Sequence, residues 1–65
     1  MEYKYCLYNG EAVAFEEGIF QEDSLREAYS RVFSRVRQLR IFDKSIVTRA
    51  ELKRGKKTFD LSSSL

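Results

Sequence analysis

The chain has 65 residues, 43% of them hydrophobic and 34% charged, which is the composition of one small globular domain and excludes a disordered segment. Its single cysteine, Cys6, and its lack of histidine exclude an intramolecular disulfide and the usual zinc-ligand sets. No stretch approaches the roughly 18 consecutive apolar residues of a membrane span, and residues 1–6 lack the features of a signal peptide, so we expect a cytoplasmic protein without a membrane partner.

Charge is distributed unevenly along the chain. Residues 1–23 contain six acidic residues and one basic residue, which gives a net charge of −5. Residues 24–65 contain eleven basic and four acidic residues, which gives +7. Such asymmetry indicates either an anionic partner or two parts of the molecule that attract each other.

The first predicted element is a β-hairpin around Asn9-Gly10. Residues 2–8 and 11–16 have high strand propensity, and Asn-Gly is the typical pair of a two-residue type I′ turn, which needs positive φ at both positions. Glu17-Gly18 is predicted to end the second strand. Both faces of this hairpin would be largely apolar. Since one helix covers only one face, the other would contact more of the chain, a second copy or a different partner.

A helix is predicted over residues 24–42. Ser24 and Glu27 form a capping box, in which the serine hydroxyl accepts from the Glu27 amide and the glutamate side chain returns to the Ser24 amide. One apolar stripe follows at helical spacing: Leu25, Ala28, Tyr29, Val32, Val36 and Leu39. Arginines border this stripe, with Arg31 and Arg35 on one flank and Arg26 and Arg37 on the other.

A second hairpin is predicted from residue 44 to residue 61, with its turn at Arg54-Gly55. This pairing places Arg49 opposite Asp60 and leaves Val47 on a polar face. The other face would be mostly apolar and would carry Ile46, Thr48, Ala50, Leu52, Phe59 and Leu61. The pattern is typical of an antiparallel hairpin with one face in water.

The predicted order of elements is ββαββ. We expect an α+β fold in which two β-hairpins flank one amphipathic helix and form an antiparallel sheet with the helix packed on one face. Residues 1–61 would form the single small domain, and residues 62–65 a flexible C-terminal tail.

Groups that carry catalysis are scarce in this sequence. It has no histidine, no paired-carboxylate motif and no glycine-rich phosphate loop, because its three glycines are isolated from one another. Cys6 lies in a predicted strand, where a buried cysteine usually acts as a small hydrophobic residue. We therefore expect a protein that is not an enzyme and that uses no metal, cofactor or small-molecule substrate.

The basic half of the chain supplies the leading hypothesis for a binding surface. Its candidate residues are Arg31, Arg35, Arg37 and Arg40 on the helix and Lys53, Arg54, Lys56 and Lys57 around the second turn. If the two groups lie on one side, they can bind a nucleic-acid backbone or an acidic protein surface. In the alternative, structural interpretation, the arginines cover the edge of the core and the lysines keep the hairpin tip soluble.

The first hairpin supplies the alternative function, protein–protein interaction. Its candidate interface residues are Tyr3, Tyr5, Tyr8 and Phe15. Tyrosines among apolar neighbours are typical of interfaces, and the partner would be a second copy of the chain, as a homodimer, or a protein that it serves as an adaptor or small inhibitor. Docking would use this hairpin or its edge strand.

Overall fold

A computed structural model describes residues 1–65 as four β-strands and one long helix, followed by a short 3₁₀ helix. The strands are β1 (Glu2–Tyr8), β2 (Glu16–Gln21), β3 (Arg49–Arg54) and β4 (Lys57–Asp60), and the long helix is α1 (Leu25–Phe42). They form one antiparallel sheet in the order β2-β1-β3-β4, so the two hairpins join through β1 and β3. The predicted ββαββ order and α+β class are confirmed.

The first hairpin forms, but the predicted turn is wrong. Residues 9–15 make a loop in place of the two-residue Asn9-Gly10 turn. Only the glycine of that pair has a positive φ, 72°, whereas a type I′ turn needs it at both positions. The second strand consequently starts at Glu16, and Glu17-Gly18 lies within it instead of ending it.

The packing of large side chains sets the register of β1 against β2. Tyr3 faces Phe20, and their rings stack with centroids 5.7 Å apart. The predicted register would have placed Glu16 in that position. Tyr5 faces Gly18, where there is no side chain to obstruct its ring. The observed partners lie four residues further along the second strand, an even shift, so every side chain of β1 keeps its face of the sheet.

The expected hairpin with two apolar faces is therefore not present. Residues 11–15, which would have supplied half of that apolar surface, belong to the loop. On the face away from α1, the strand β2 carries Glu17, Ile19 and Gln21. Ile19 is the one large apolar strand residue that is exposed, at 67%.

The second hairpin keeps the predicted faces for β3 and β4 but turns one residue later. Arg54 pairs with Lys57, so the two-residue turn is Gly55-Lys56, and the glycine has a φ of 60°. As a result Asp60 faces Glu51 and not Arg49. The shift in pairing is again even, which preserves the apolar and polar faces.

The core lies between α1 and one face of the sheet. Its nine buried residues are Tyr3, Leu7, Ala28, Val32, Val36, Val47, Ala50, Leu52 and Leu61. The predicted helical stripe is confirmed, since all three buried residues of α1 belong to it. Val47, expected on the polar face, is buried because the chain is not yet a strand there. Residues 62–64 form the 3₁₀ helix, after which Leu65 packs against the core.

One end of the sheet, called the tip end, gathers the start of β1, the start of α1 and the Gly55-Lys56 turn. Met1 and Glu22 exchange two backbone hydrogen bonds of 3.1 Å, which places the segment leading into α1 beside the start of β1. Lys4 of β1 pairs with Lys53 of β3, so the turn that follows β3 lies at this end as well.

The opposite end, called the loop end, gathers the 9–15 loop, the end of α1 and the connection from α1 to β3. Gly10 N donates to Thr48 Oγ1 over 2.7 Å and thereby joins the loop to the connection. Arg40 donates to the carbonyl of Val47 over 3.2 Å. The helix therefore runs from the tip end to the loop end. No helix of the structure combines the length and the apolar character that a membrane crossing requires.

Candidate binding surfaces

Arg35 forms an ion pair with a carboxylate of β2. Its Nε and Nη2 atoms donate to Glu16 over 2.7 and 2.6 Å, and the Tyr5 hydroxyl donates to the same carboxylate over 2.8 Å. The hydrogen bonds from Arg35 lower the pKa of Glu16 below its ordinary value. Burial, followed by the hydrogen bond to Glu16, raises the pKa of Tyr5. Arg35 thus joins the helix to the sheet.

Arg31 is engaged in the same way one turn earlier. Its Nε and Nη2 atoms lie 2.8 and 2.7 Å from Glu22 Oε2, and its guanidinium lies 5.1 Å from the centre of the Phe20 ring. Acidic residues of the first part of the chain therefore neutralise one flank of the basic helix. This arrangement corresponds to the second interpretation of the charge asymmetry, in which two parts of the molecule attract each other.

The other two helix candidates lie elsewhere on α1. Arg37 is exposed and donates to Ser34 Oγ over 3.3 Å. Arg40 lies at the loop end, where its Nη1 donates to the Leu65 carbonyl over 3.1 Å and its Nη2 to Val47. Its Nε atom is buried and has no hydrogen-bond partner. Arg40 thus fixes the end of the chain and the connection to the helix.

The four candidates of the second hairpin, Lys53, Arg54, Lys56 and Lys57, surround the turn at the tip end and are called the tip surface. The four ion pairs of the molecule use Lys4, Arg31, Arg35 and Arg49, so none of the tip cations is paired with a carboxylate. The guanidinium of Arg54 lies 5.6 Å from the centre of the Phe59 ring. The structure therefore places the tip surface at the end opposite to Arg40, and the eight basic candidates do not form one group.

An aromatic strip adjoins the tip surface along the flank of α1 that faces β4. Tyr29 contacts Phe59 edge to face at a centroid distance of 6.2 Å, and it contacts Phe33 in the same way at 6.4 Å. All three rings are half-buried. Arg26 and Arg37 border the strip on the helix. Sequence reasoning missed this surface, although Arg26, Tyr29, Phe33 and Arg37 recur at helical spacing and share one flank.

The four aromatic candidates of the first hairpin are separated in the structure. Tyr3 is 1% exposed and lies in the core under α1. Tyr8 is 8% exposed on the opposite face, where its hydroxyl donates to Glu51 Oε1 over 2.7 Å. Tyr5 is half-buried, and Phe15, in the loop, is 42% exposed. Only Phe15 presents a substantial area to a partner.

A groove of about 420 Å³ separates α1 from β2. Its floor is formed by Tyr5, Phe20 and Val32 and its helix side by Arg31, Ser34, Arg35 and Gln38. Gly18 and Ile19 of β2 line the outer side. Both arginines of the groove form ion pairs with glutamates, so neither provides an unpaired positive charge.

No cluster of three or more cysteine, aspartate or glutamate side chains is arranged to hold a metal ion. The chain matches no family model, no curated protein and no solved structure.

Proposed function

We propose that this protein is a non-catalytic binding module that holds the phosphate backbone of nucleic acid against its tip surface. The observation that carries the proposal is the charge of that surface. Four cations lie within five residues, and no carboxylate is paired with any of them. Unpaired lysine and arginine side chains bind phosphates and release the counterions condensed on nucleic acid, which favours association.

The aromatic strip beside the tip surface favours a single strand over a duplex. Phe59 lies next to Arg54, and Tyr29 and Phe33 continue the strip along α1. Unpaired bases stack on aromatic rings and arginine planes, whereas the bases of a duplex are already stacked on each other. Every base has an aromatic face, so such a surface binds without reading sequence.

Titration of a fluorescent, mixed-sequence RNA or DNA strand of about ten nucleotides tests the proposal by anisotropy. We expect the logarithm of the affinity to fall linearly with the logarithm of salt concentration, with a slope of about −0.7 for each phosphate contact. A duplex of the same sequence should bind more weakly. Undetectable binding to the single strand at low salt would contradict the proposed function.

Lys56→Glu should weaken binding about tenfold and make the salt slope shallower, because it replaces a phosphate contact by a repulsive charge. Lys44→Glu is the matched control. Lys44 is also an exposed, unpaired lysine, but it lies at the loop end. We expect it to change affinity only slightly. Equal losses from both variants would mean that the strand responds to the overall charge and not to the tip surface.

Protein–protein interaction is the second candidate function, and exposed apolar side chains favour it. Ile41 and Phe42 at the end of α1 are 80% and 89% exposed, and Val13 and Phe15 are exposed in the neighbouring loop. All four lie at the loop end, and Ile19 adds a fifth exposed apolar side chain on β2. Gel filtration with light scattering tests self-association, since a monomer has a mass of 7.7 kDa.

A further inference from the structure

The two edge strands of the sheet differ in their protection against further pairing. β4 is four residues long, begins with Lys57, ends with Asp60 and leads directly towards a 3₁₀ helix. β2 is six residues long, and its central residues 18–20 carry no charge. Natural sheets protect their edges by short strands, charges and proline. β4 is short and charged at both ends, whereas the charges of β2 are confined to Glu16 and Glu17 at its start.

The backbone of β2 presents unpaired hydrogen-bonding groups along this edge. Met1 and Glu22 exchange both of their backbone hydrogen bonds, and such pairs alternate along an antiparallel ladder. The even-numbered residues of β2 therefore bond to β1. The N–H and C=O groups of Glu17, Ile19 and Gln21 point away from the sheet and form a template for another strand.

A second copy of β2 fits this edge in an antiparallel register centred on Ile19. This register uses all three residues with free groups, because Ile19 then faces Ile19 of the second copy and Glu17 faces Gln21. Pairing covers the isoleucine, which is 67% exposed in the monomer. On the helix side, Gly18 faces Phe20 of the second copy.

The acidic residues at the ends of the paired strands do not prevent this pairing. The register places Glu16 opposite Glu22 of the second copy, and like charges directly opposite each other repel. Each of these carboxylates is already bound by an arginine of α1, Glu16 by Arg35 at 2.6 Å and Glu22 by Arg31 at 2.7 Å. Each of the two carboxylates that face each other is thus paired with an arginine of its own protomer.

We propose that the protein forms a symmetric homodimer in which two β2 strands pair antiparallel and join the sheets into one of eight strands. The inference gives a specific form to the second candidate function. It is independent of nucleic-acid binding, because the tip surface belongs to the β3–β4 hairpin at the far edge of the sheet.

Two isoleucine substitutions test the dimer in sedimentation and light-scattering experiments. Ile19→Asp places two carboxylates opposite each other at the centre of the interface and should raise the dissociation constant of the dimer about a hundredfold or more. Ile41→Asp is the matched control, since Ile41 is equally apolar and more exposed but lies at the loop end. We expect this variant to remain dimeric. Neither side chain belongs to the core, and circular dichroism verifies that both variants fold.

Hydrogen exchange gives a second readout specific to strand pairing. In the wild-type protein the amides of Glu17, Ile19 and Gln21 should be protected, and Ile19→Asp should remove this protection while the amides of β1 and β3 remain protected. A wild-type protein that is monomeric at millimolar concentration would overturn the proposal. A dimer that Ile41→Asp dissociates and Ile19→Asp leaves intact would also overturn it and would assign the interface to the loop end. The Ile19→Asp monomer should still bind the single strand. Its binding therefore tests the proposed function of the tip surface separately from the dimer.

Discussion

Gly18 of β2 lies beside the side-chain hydrogen bonds that connect β1, β2 and α1. It faces Tyr5, whose ring lies over it so closely that a Cβ at position 18 would overlap the ring. This placement brings the Tyr5 hydroxyl to Glu16 over 2.8 Å, and Glu16 in turn binds Arg35. Since the φ of Gly18 is not positive, the glycine provides space and not an unusual backbone conformation.

Gly18→Ala should lower the free energy of unfolding by about 1 to 3 kcal/mol, because the new methyl group displaces the Tyr5 ring and its hydrogen bond. In a Tyr5→Ala background the methyl group meets no ring, so the same substitution should have almost no effect. Urea unfolding of the single and double variants measures this coupling.

Gly10→Ala is the control for this cycle. Gly10 has a φ of 72° and no other residue within 4 Å of the added Cβ, so its substitution strains the backbone without a clash. We expect a loss of about 1 kcal/mol that is the same with and without Tyr5. A constant effect of Gly18→Ala in both backgrounds would contradict the steric explanation.

Tyr8 is a buried tyrosine with a strongly shifted ionisation. The hydrogen bond that it donates to Glu51, followed by burial, raises the pKa of Tyr8 from 10.0 to about 12. The folded state therefore holds this proton more tightly than the unfolded state does. The stability that it contributes is complete below a pH of 10.0 and is lost as the pH rises towards about 12.

Comparison of phenolate absorbance between the wild-type protein and Tyr8→Phe should isolate one group that titrates at a pH of about 12. Glu51→Gln removes the charged acceptor and should move this titration back towards 10.0. Glu11→Gln, in the exposed loop, is the control and should leave it unchanged. Ionisation of Tyr8 at its ordinary value in the wild-type protein would refute the role of Glu51.

Among the elements, α1 was predictable because its signals are local. The capping box predicted its start, and Ser24 Oγ does accept from Glu27 N over 3.2 Å. The apolar spacing predicted its buried face, which contains Ala28, Val32 and Val36. These patterns depend only on residues three or four positions apart, so no knowledge of the sheet was needed.

The first hairpin was less predictable, because packing between residues distant in the sequence outweighed the local preference for a tight turn. Asn9-Gly10 favours a tight turn, but that turn would have paired Tyr3 with a charged residue. The longer loop pairs Tyr3 with Phe20 instead and buries Tyr3 almost completely. Loop lengthening costs little entropy, roughly 0.6 kcal/mol for each doubling, so cross-strand packing determines the register.

The contact of α1 with β2 should weaken in acid. Hydrogen bonds from Arg35 hold the pKa of Glu16 below its ordinary value of 4.5. The ionised carboxylate therefore stabilises the fold above that value, and this contribution is lost as the pH falls through the lowered pKa.

Glu16→Gln should consequently be less stable than the wild-type protein at neutral pH, and the difference should shrink in acid. Urea unfolding of both proteins over a series of pH values measures this effect. Glu11→Gln, at a loop position without an ion pair, should match the wild-type protein throughout. A difference for Glu16→Gln that is constant down to strongly acidic pH would contradict the role of its charge.

At the scale of the whole molecule, folding redistributes the charge of the chain. Glu16 and Glu22 neutralise the flank of α1 that faces β2, so the free positive charge concentrates on the opposite side, around the tip surface. The sequence identified the basic residues around the second turn. It did not reveal which helix flank adjoins them, because this depends on the strand order β2-β1-β3-β4, in which β1 pairs with a strand more than forty residues away.

The central position of β1 also affects how the protein is made. Of the four strands β1 leaves the ribosome first, yet one of its edges stays empty until β3 has been synthesised. Tyr8 cannot form its hydrogen bond until Glu51, which lies 43 positions later in the chain, has been synthesised. Distant pairing of this kind slows folding, because the chain must close a long loop before the contact forms. Until β3 is available, the β1–β2 hairpin has two open edges, and these edges make β1 and β2 the strands most exposed to premature pairing with other chains.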